Sequence, residues 1–284
     1  MCRFLAYQGH EILLSELLTR SEQSLIRQSY HALERKEPLN GDGFGVGWYT
    51  EEPDATPGVF TSIQPAWANR NLRRLADKIQ SSCVLAHVRA ASPGTPVTEL
   101  NCHPFQYGRF LWMHNGRVEE FEKIRRTLRE HLRDEYYDLI QGTTDSEHIF
   151  ALFLDLLHDH RGDYGLATLR QTMTETIRLL ETWLDEAGVS APSWLNLCLS
   201  DGENLLATKY VTQPSGQPQS LYIAHGDRFE LHGRHYHMTR SNGENRATLI
   251  ASEPLTVEHT DWEPVPRNCS VSVSPELQID VQPI

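Results

Sequence analysis

Five cysteines in 284 residues, Cys2, Cys83, Cys102, Cys198 and Cys269, are too few and too irregularly spaced for a disulfide framework. Their odd number points to a reducing cytosol, so the chain is expected to be cytoplasmic. No apolar run approaches the roughly 18–20 residues that cross a bilayer, which excludes a helical membrane anchor. The start of the chain lacks a basic segment followed by a continuous apolar stretch, so no secretion signal is read. Basic residues are also short: 26 Lys and Arg against 38 Asp and Glu leave a formal net charge of −12. A surface that acidic repels phosphate backbones and anionic lipid heads, so no nucleic acid and no membrane is expected as a partner. The one basic cluster, Arg125, Arg126, Arg129 and Arg133, alternates with Glu122, Glu130, Asp134 and Glu135 and reads as a solvated helix face. Internal repeats, low-complexity tracts and linkers are missing too, so one domain over residues 1–284 is expected.

What is present is an ordinary globular balance, 39% hydrophobic and 23% charged residues, in a chain long enough to bury a sizeable core. Arg3 to Tyr7 predicts a strand. Gly43 to Tyr49 predicts another, whose alternate glycines imply close approach by a second element. Asn69 to Ile79 has helical periodicity, and Cys83 to Val88 a short buried-strand pattern. Phe105 to His114 reads as a hairpin turning at Gly108-Arg109, its second strand running into Asn115-Gly116. Asp145 to His158 is apolar on most faces, as a helix packed on two sides would be, and Thr144 with Glu147 has capping-box spacing. Leu166, Leu169, Met173, Ile177, Leu180 and Leu184 define one helical face. From Trp194 the pattern turns mostly to strand, with a polar loop at Gln213 to Gln219 and a frayed end at Pro283-Ile284.

Cys2 becomes the first residue if the initiator methionine is removed. Its free α-amine, with a reference pKa near ~8, then lies within reach of its own thiol, so nucleophile and base come from one residue. Taken alone, Cys2 reads better as a small buried apolar side chain. Other segments alter that balance. An Asn side chain beside a Gly backbone N–H suits an oxyanion, and Asn115-Gly116 supplies the pair, although Asn-Gly is also a common turn. Arg89, at the end of the Cys83–Val88 strand, offers a two-pronged bond to a carboxylate or an ordinary surface ion pair. Asp145 suits an ammonium group, or complements its own helix dipole. Together the five residues describe a site for one chemical object: Arg89 and Asp145 on the carboxylate and ammonium of an α-amino-acid head, Cys2 on its side-chain amide, Asn115 and Gly116 on the oxyanion.

Met1-Cys2-Arg3, Asn40-Gly41-Asp42-Gly43-Phe44-Gly45, Ala86-His87-Val88-Arg89, His114-Asn115-Gly116 and Thr144-Asp145-Ser146-Glu147 resemble, in order and spacing, the class II glutamine amidotransferases. The segments 195–202 (LNLCLSDG) and 251–256 (ASEPLT) resemble that family's stand-alone branch. That branch includes the γ-glutamyl hydrolase of ergothioneine biosynthesis and an amidotransferase-like subunit of a glutathione-degrading complex. The resemblance implies an α+β fold, a four-layer αββα sandwich of the Ntn-hydrolase type. It also implies Cys2 as nucleophile, Asn115 and Gly116 as oxyanion hole, and Arg89 and Asp145 as glutamyl ligands. No cofactor and no metal is called for.

Two positions depart from the fused synthase branch. Ala90, Ala91 and Ser92 stand where that branch has a tryptophan and then a Thr-His pair, and Asn40-Gly41 stands where it has Arg-Gly. The expected activity is hydrolysis of a γ-glutamyl amide through a Cys2 thioester, the substrate being glutamine or another small γ-glutamyl compound. Two alternatives stand beside it: a glutaminase subunit working with a partner synthase or peptidase subunit, and a catalytically silent protein that binds a partner. His232, His235 and His237 lack a carboxylate or cysteine at zinc spacing and read as surface histidines. Cys102 and His103, adjacent on an extended chain, point to opposite faces and form no dyad. His87 and His114 read as core histidines or as groups behind the ligands.

Overall fold

The computed structural model describes residues 2–34, 39–50, 56–92, 94–162, 164–240 and 246–284. Met1, whose removal the amine reading requires, lies outside them. The strands are β1 (Arg3–Leu13), β2 (Phe44–Trp48), β3 (Gly58–Ser62), β4 (Gln80–Val88), β5 (Phe105–Tyr107), β6 (Phe110–Arg117), β7 (Trp194–Ser200) and β8 (Leu205–Lys209). They continue as β9 (Tyr222–Gly226), β10 (Arg228–His232), β11 (His235–Thr239), β12 (Ala247–Ala251), β13 (Glu263–Pro264), β14 (Cys269–Val273) and β15 (Ile279–Pro283). The α-helices are α1 (Leu25–Tyr30), α2 (Arg70–Ala76), α3 (Phe121–His131), α4 (Asp134–Leu139), α5 (Asp145–His158) and α6 (Leu166–Glu186). Two antiparallel sheets carry the fold, in the orders β13-β9-β12-β1-β4-β2-β3 and β15-β14-β8-β7-β6-β5.

Strand alternation sorts the side chains into layers. Phe4 and Ala6 of β1, Cys83 and Leu85 of β4, and Leu111 and Met113 of β6 point between the sheets and share one apolar cluster. Leu5 and Tyr7, with Val84, Ala86 and Val88, point the other way and meet α1 and α2. Phe110 and Trp112 of β6 face the opposite helical layer, where Trp112 stacks on Phe150 at 5.4 Å. The result is helix on sheet on sheet on helix, the αββα sandwich. Helix α5 is buried on nearly every side because it lies between β6 and the helices α3, α4 and α6, the double packing its sequence predicts. Thr144 caps it by accepting from the Glu147 N–H at 3.2 Å. The reciprocal half of the capping box does not form, because Glu147 turns to the N–H groups of Gln141 and Gly142 instead.

The second helix is shorter than its periodicity suggests: Asn69 is its N-cap, accepting from Leu72 N at 2.8 Å, and it ends at Ala76. The chain end is not frayed, since Ile284 N donates to Asn268 O at 3.0 Å and β15 pairs with β14. The arginine cluster is mostly a solvated face: Arg125, Arg126 and Arg133 are exposed, Arg126 pairing with Glu130 and Arg133 with Asp155, while Arg129 is half-buried and donates to His148.

Candidate active site

Strand register assembles the site. In the first sheet Arg3 of β1 pairs with Val88 of β4, so Cys2 and Arg89, one residue beyond that pair, lie abreast at the same sheet end. Strand β6 of the facing sheet brings Asn115 and Gly116 across from them, and α5 begins at Asp145 beside that strand end. The Asp145 carboxylate joins the two, accepting from Val118 N at 2.7 Å while its other oxygen accepts from Ser146 N at 2.8 Å. Cys2, Arg89, Gly116 and Asp145 line one open cavity of about 450 Å³. Asn115 is fully buried behind its wall, and its Nδ2 donates to Ser252 Oγ at 3.2 Å.

Each side chain is held by its surroundings. The Cys2 thiol accepts from Ala90 N at 3.4 Å and donates towards Ala90 O at 3.6 Å. Arg89 is 3% exposed, with its guanidinium donating to the carbonyls of Asp42 at 3.4 Å and Pro96 at 3.2 Å. The loop carrying Asp42 is tied to the same corner: Arg89 N donates to Gly43 O, and the Asp42 carboxylate accepts from Ala91 N at 2.9 Å. Among the described residues no carboxylate lies within ion-pair distance of Arg89, and no cation lies within that distance of Asp145. Gly116 has no room for a side chain, since a Cβ there would sit 1.9 Å from Trp194 O and 2.4 Å from His114 Nε2.

Histidines pack behind this wall. His114 bridges Ser146 Oγ and Trp194 O, both at 2.9 Å. His87 and His103 stack at 4.2 Å, and His103 reaches the cavity. Burial pushes His87 down to about 3 and holds His103 well below the usual imidazole range, with the neighbouring Arg89 adding to both. The His87–His103 stack, of which His103 reaches the cavity, is therefore neutral near pH 7 and lies beside the Arg89 guanidinium. Cys102 takes no part in a dyad with His103; its thiol donates to Ser62 O and Thr98 O, and burial raises it to about 11. Gly45 on β2 makes room for that turn, because a Cβ there would meet His103 O at 2.2 Å.

Four residues at or beside the site were not read as site residues from sequence. Ser146 and Ser252 are small hydroxyls inside quoted motifs, but nothing in their spacing marks them. Arg117 and Arg125, on the cavity rim, have no signature beyond charge. The histidines of the β10–β11 hairpin stay away from the site, His235 beside Glu22 at 3.1 Å and His237 beside Asp261 at 3.6 Å.

The family profile of class-II glutamine amidotransferases matches residues 15–274, and the chain belongs to that family of enzymes acting on amide bonds. Among its relatives, the probable glutamine amidotransferase DUG3 of Saccharomyces cerevisiae is 42% identical over 292 residues, covering 96% of this chain and 82% of the yeast protein. The γ-glutamyl-hercynylcysteine sulfoxide hydrolase of Mycobacterium tuberculosis is 36% identical over 120 residues, covering 42% of this chain and 50% of that one. A glutamine aminotransferase class-II domain protein from Silicibacter pomeroyi superposes with a TM-score of 0.66 at 25% identity, covering 100% of this chain and 99% of its own. The phosphoribosylpyrophosphate amidotransferase of B. subtilis shares the fold, with a TM-score of 0.62 at 13% identity, over 99% of this chain and 49% of its own.

Proposed function

We propose that this chain hydrolyses γ-glutamyl amide bonds with Cys2 as an N-terminal nucleophile. The observation that carries the reading is the charge arrangement of the cavity. A buried guanidinium and a half-buried carboxylate, neither neutralised by a described residue, share one wall with a thiol. An unpaired buried charge is costly, so a site built this way is completed by a ligand that carries the opposite charges. The α-carboxylate and α-ammonium of a γ-glutamyl group fit: the carboxylate on Arg89 and the ammonium on Asp145, with the side-chain amide extending towards Cys2.

With Met1 removed, the Cys2 α-amine takes the thiol proton as sulfur attacks the amide carbon. The Asn115 amide has two N–H donors, one directed at Ser252 and one left for the oxyanion, which Gly116 N–H also serves. Collapse expels the amine, protonated by the ammonium just formed. Water then adds to the thioester, the same amine accepting its proton, and glutamate leaves with the thiol restored. The names of the two curated relatives above support this amide class. Five free cysteines support a reducing compartment, and among the described residues no helix is long and apolar enough to cross a membrane.

The test is glutamate release from L-glutamine and from a panel of γ-glutamyl amines, with intact-mass analysis. A glutamyl adduct on Cys2, at a chain lacking Met1, is the expected result. Full turnover in Cys2→Ala, or active enzyme that retains Met1, would sink the mechanism.

A further inference from the structure

The segment Ser252-Glu253, just past the end of β12, takes no chemical step above, yet it holds the two residues that follow Cys2, the Arg3 side chain and the Phe4 backbone. Ser252 N donates to Phe4 O at 3.0 Å. Its Oγ accepts from Phe4 N at 3.1 Å and from Asn115 Nδ2 at 3.2 Å, so one hydroxyl ties the nucleophile strand to the oxyanion side chain across the two sheets. Glu253, 3% exposed, receives the Arg3 Nε at 2.6 Å in a pair that is buried on both sides. Arg3 Nη1 in turn donates to the carbonyl of Cys2 at 2.9 Å.

That last contact matters because the ladder stops short of it. The final β1–β4 pair is Arg3 with Val88, so strand pairing does not reach the Cys2 residue. Its carbonyl is gripped by the guanidinium of the next residue, and that guanidinium is held from outside the strand by Glu253. Fixing the carbonyl fixes the Cys2 backbone torsion and hence the direction of its thiol. The Glu253 carboxylate also accepts from the N–H groups of Leu33 and Glu34, at 2.8 and 3.2 Å, which anchors it on the side away from the cavity.

We propose that Ser252 and Glu253 are positioning residues, Glu253 acting through Arg3, that set the Cys2 thiol against the Asn115 and Gly116 donors. The proposal rests on Cys2 being the nucleophile. It separates turnover from substrate affinity, because Arg89 and Asp145 touch neither Ser252 nor Glu253. A planar guanidinium holds two acceptors in a fixed fork, which an ammonium on a flexible stem does not reproduce, so the arginine itself is required at position 3.

The test compares wild type, Cys2→Ala, the double variant Arg3→Met/Glu253→Met, Ser252→Ala and Arg3→Lys. The readouts are thermal midpoint, kcat and KM for L-glutamine, and the rate of Cys2 labelling by 6-diazo-5-oxo-L-norleucine. The double variant replaces a buried ion pair by apolar side chains of similar length, a change that stability often tolerates. The expected result is a midpoint close to wild type, KM within twofold, and kcat and labelling rate each lowered at least thirtyfold. Ser252→Ala is expected to lower kcat about tenfold, again with KM unchanged. A folded double variant with kcat within threefold of wild type, while Cys2→Ala is inactive, overturns the positioning role alone. Full turnover in Cys2→Ala removes the nucleophile reading and this proposal with it. Should the double variant not fold, Arg3→Lys decides: kcat at least tenfold lower at unchanged KM supports the grip, and wild-type kcat overturns it.

Discussion

Two buried arginines flank Cys2, the proposed nucleophile, and they are treated in opposite ways. Arg3 is 1% exposed and paired with Glu253, while Arg89 is 3% exposed and meets only the carbonyls of Asp42 and Pro96. Desolvation weighs on both guanidiniums similarly, so the difference lies in what offsets it. Arg3 is neutralised within the protein, and its charge does nothing for a ligand. On the proposed reading Arg89 is left for an external anion, and Asp145, lining the same cavity, is left for a cation. A buried charge pair therefore belongs to the scaffold, and a buried charge with only dipoles around it marks a binding site.

The contrast makes opposite forecasts for the same substitution. Arg89→Ala removes the charge proposed to bind the carboxylate, and losing such a contact costs about 2–5 kcal/mol, or roughly 30- to 5,000-fold in kcat/KM. The thermal midpoint should hold or rise, because an uncompensated buried charge is gone. Arg3→Ala instead orphans Glu253, at a cost of about 3–5 kcal/mol, and the midpoint should fall by about 10 °C. Steady-state kinetics and thermal melts on both variants check this, and equal melting losses would break the comparison.

Product binding is the next largest effect. L-Glutamate at 100 times its dissociation constant should stabilise the wild type by about 2.7 kcal/mol, and Arg89→Ala should show no shift. A smaller change is expected for Asp145→Asn, which keeps the shape and acceptor but loses the charge. It should raise KM by about tenfold with little change in kcat, as measured by glutamate release.

A separate effect concerns pH. His87 is held near 3, and His103 is also depressed, because burial disfavours the imidazolium. The unfolded chain takes up those protons near 6.5 while the native chain refuses them. Stability is therefore intact above about pH 6.5 and declines as pH falls towards 3, by about 1.4 kcal/mol per pH unit for each such histidine. Glu147, raised by burial, works in the opposite sense near its own lower range. Denaturant melts between pH 7 and 5 measure the slope, and His87→Gln should flatten it.

Much of the fold was legible because it rests on local periodicity. The patterns at Arg3 to Tyr7 and Cys83 to Val88 fall inside longer strands, Arg3–Leu13 and Gln80–Val88, and the pattern from Asp145 to His158 gave α5 to the residue. Terminal behaviour was not, since pairing of Ile284 with Asn268 depends on a partner far along the chain. In the site, the five candidates were visible as residue types: a thiol, a guanidinium, a carboxylate and an Asn-Gly pair. The cavity gathers four of them on its wall and sets Asn115 behind it. The supports were invisible. Ser252 and Glu253 look like any serine and glutamate until β12 lies beside β1, and nothing in the sequence brings His103 onto His87.

The amino-acid sequence alone determined the chemical inventory and the strand and helix periods, since both are properties of residues and their near neighbours. It also determined that Gly116 carries no side chain, where the fold brings Trp194 O within 1.9 Å of any Cβ. Only the tertiary structure decided which arginine is paired and which is left open. That choice depends on which carboxylate arrives beside each guanidinium: Glu253 is 250 residues away from Arg3 in the chain and 2.6 Å away in the fold.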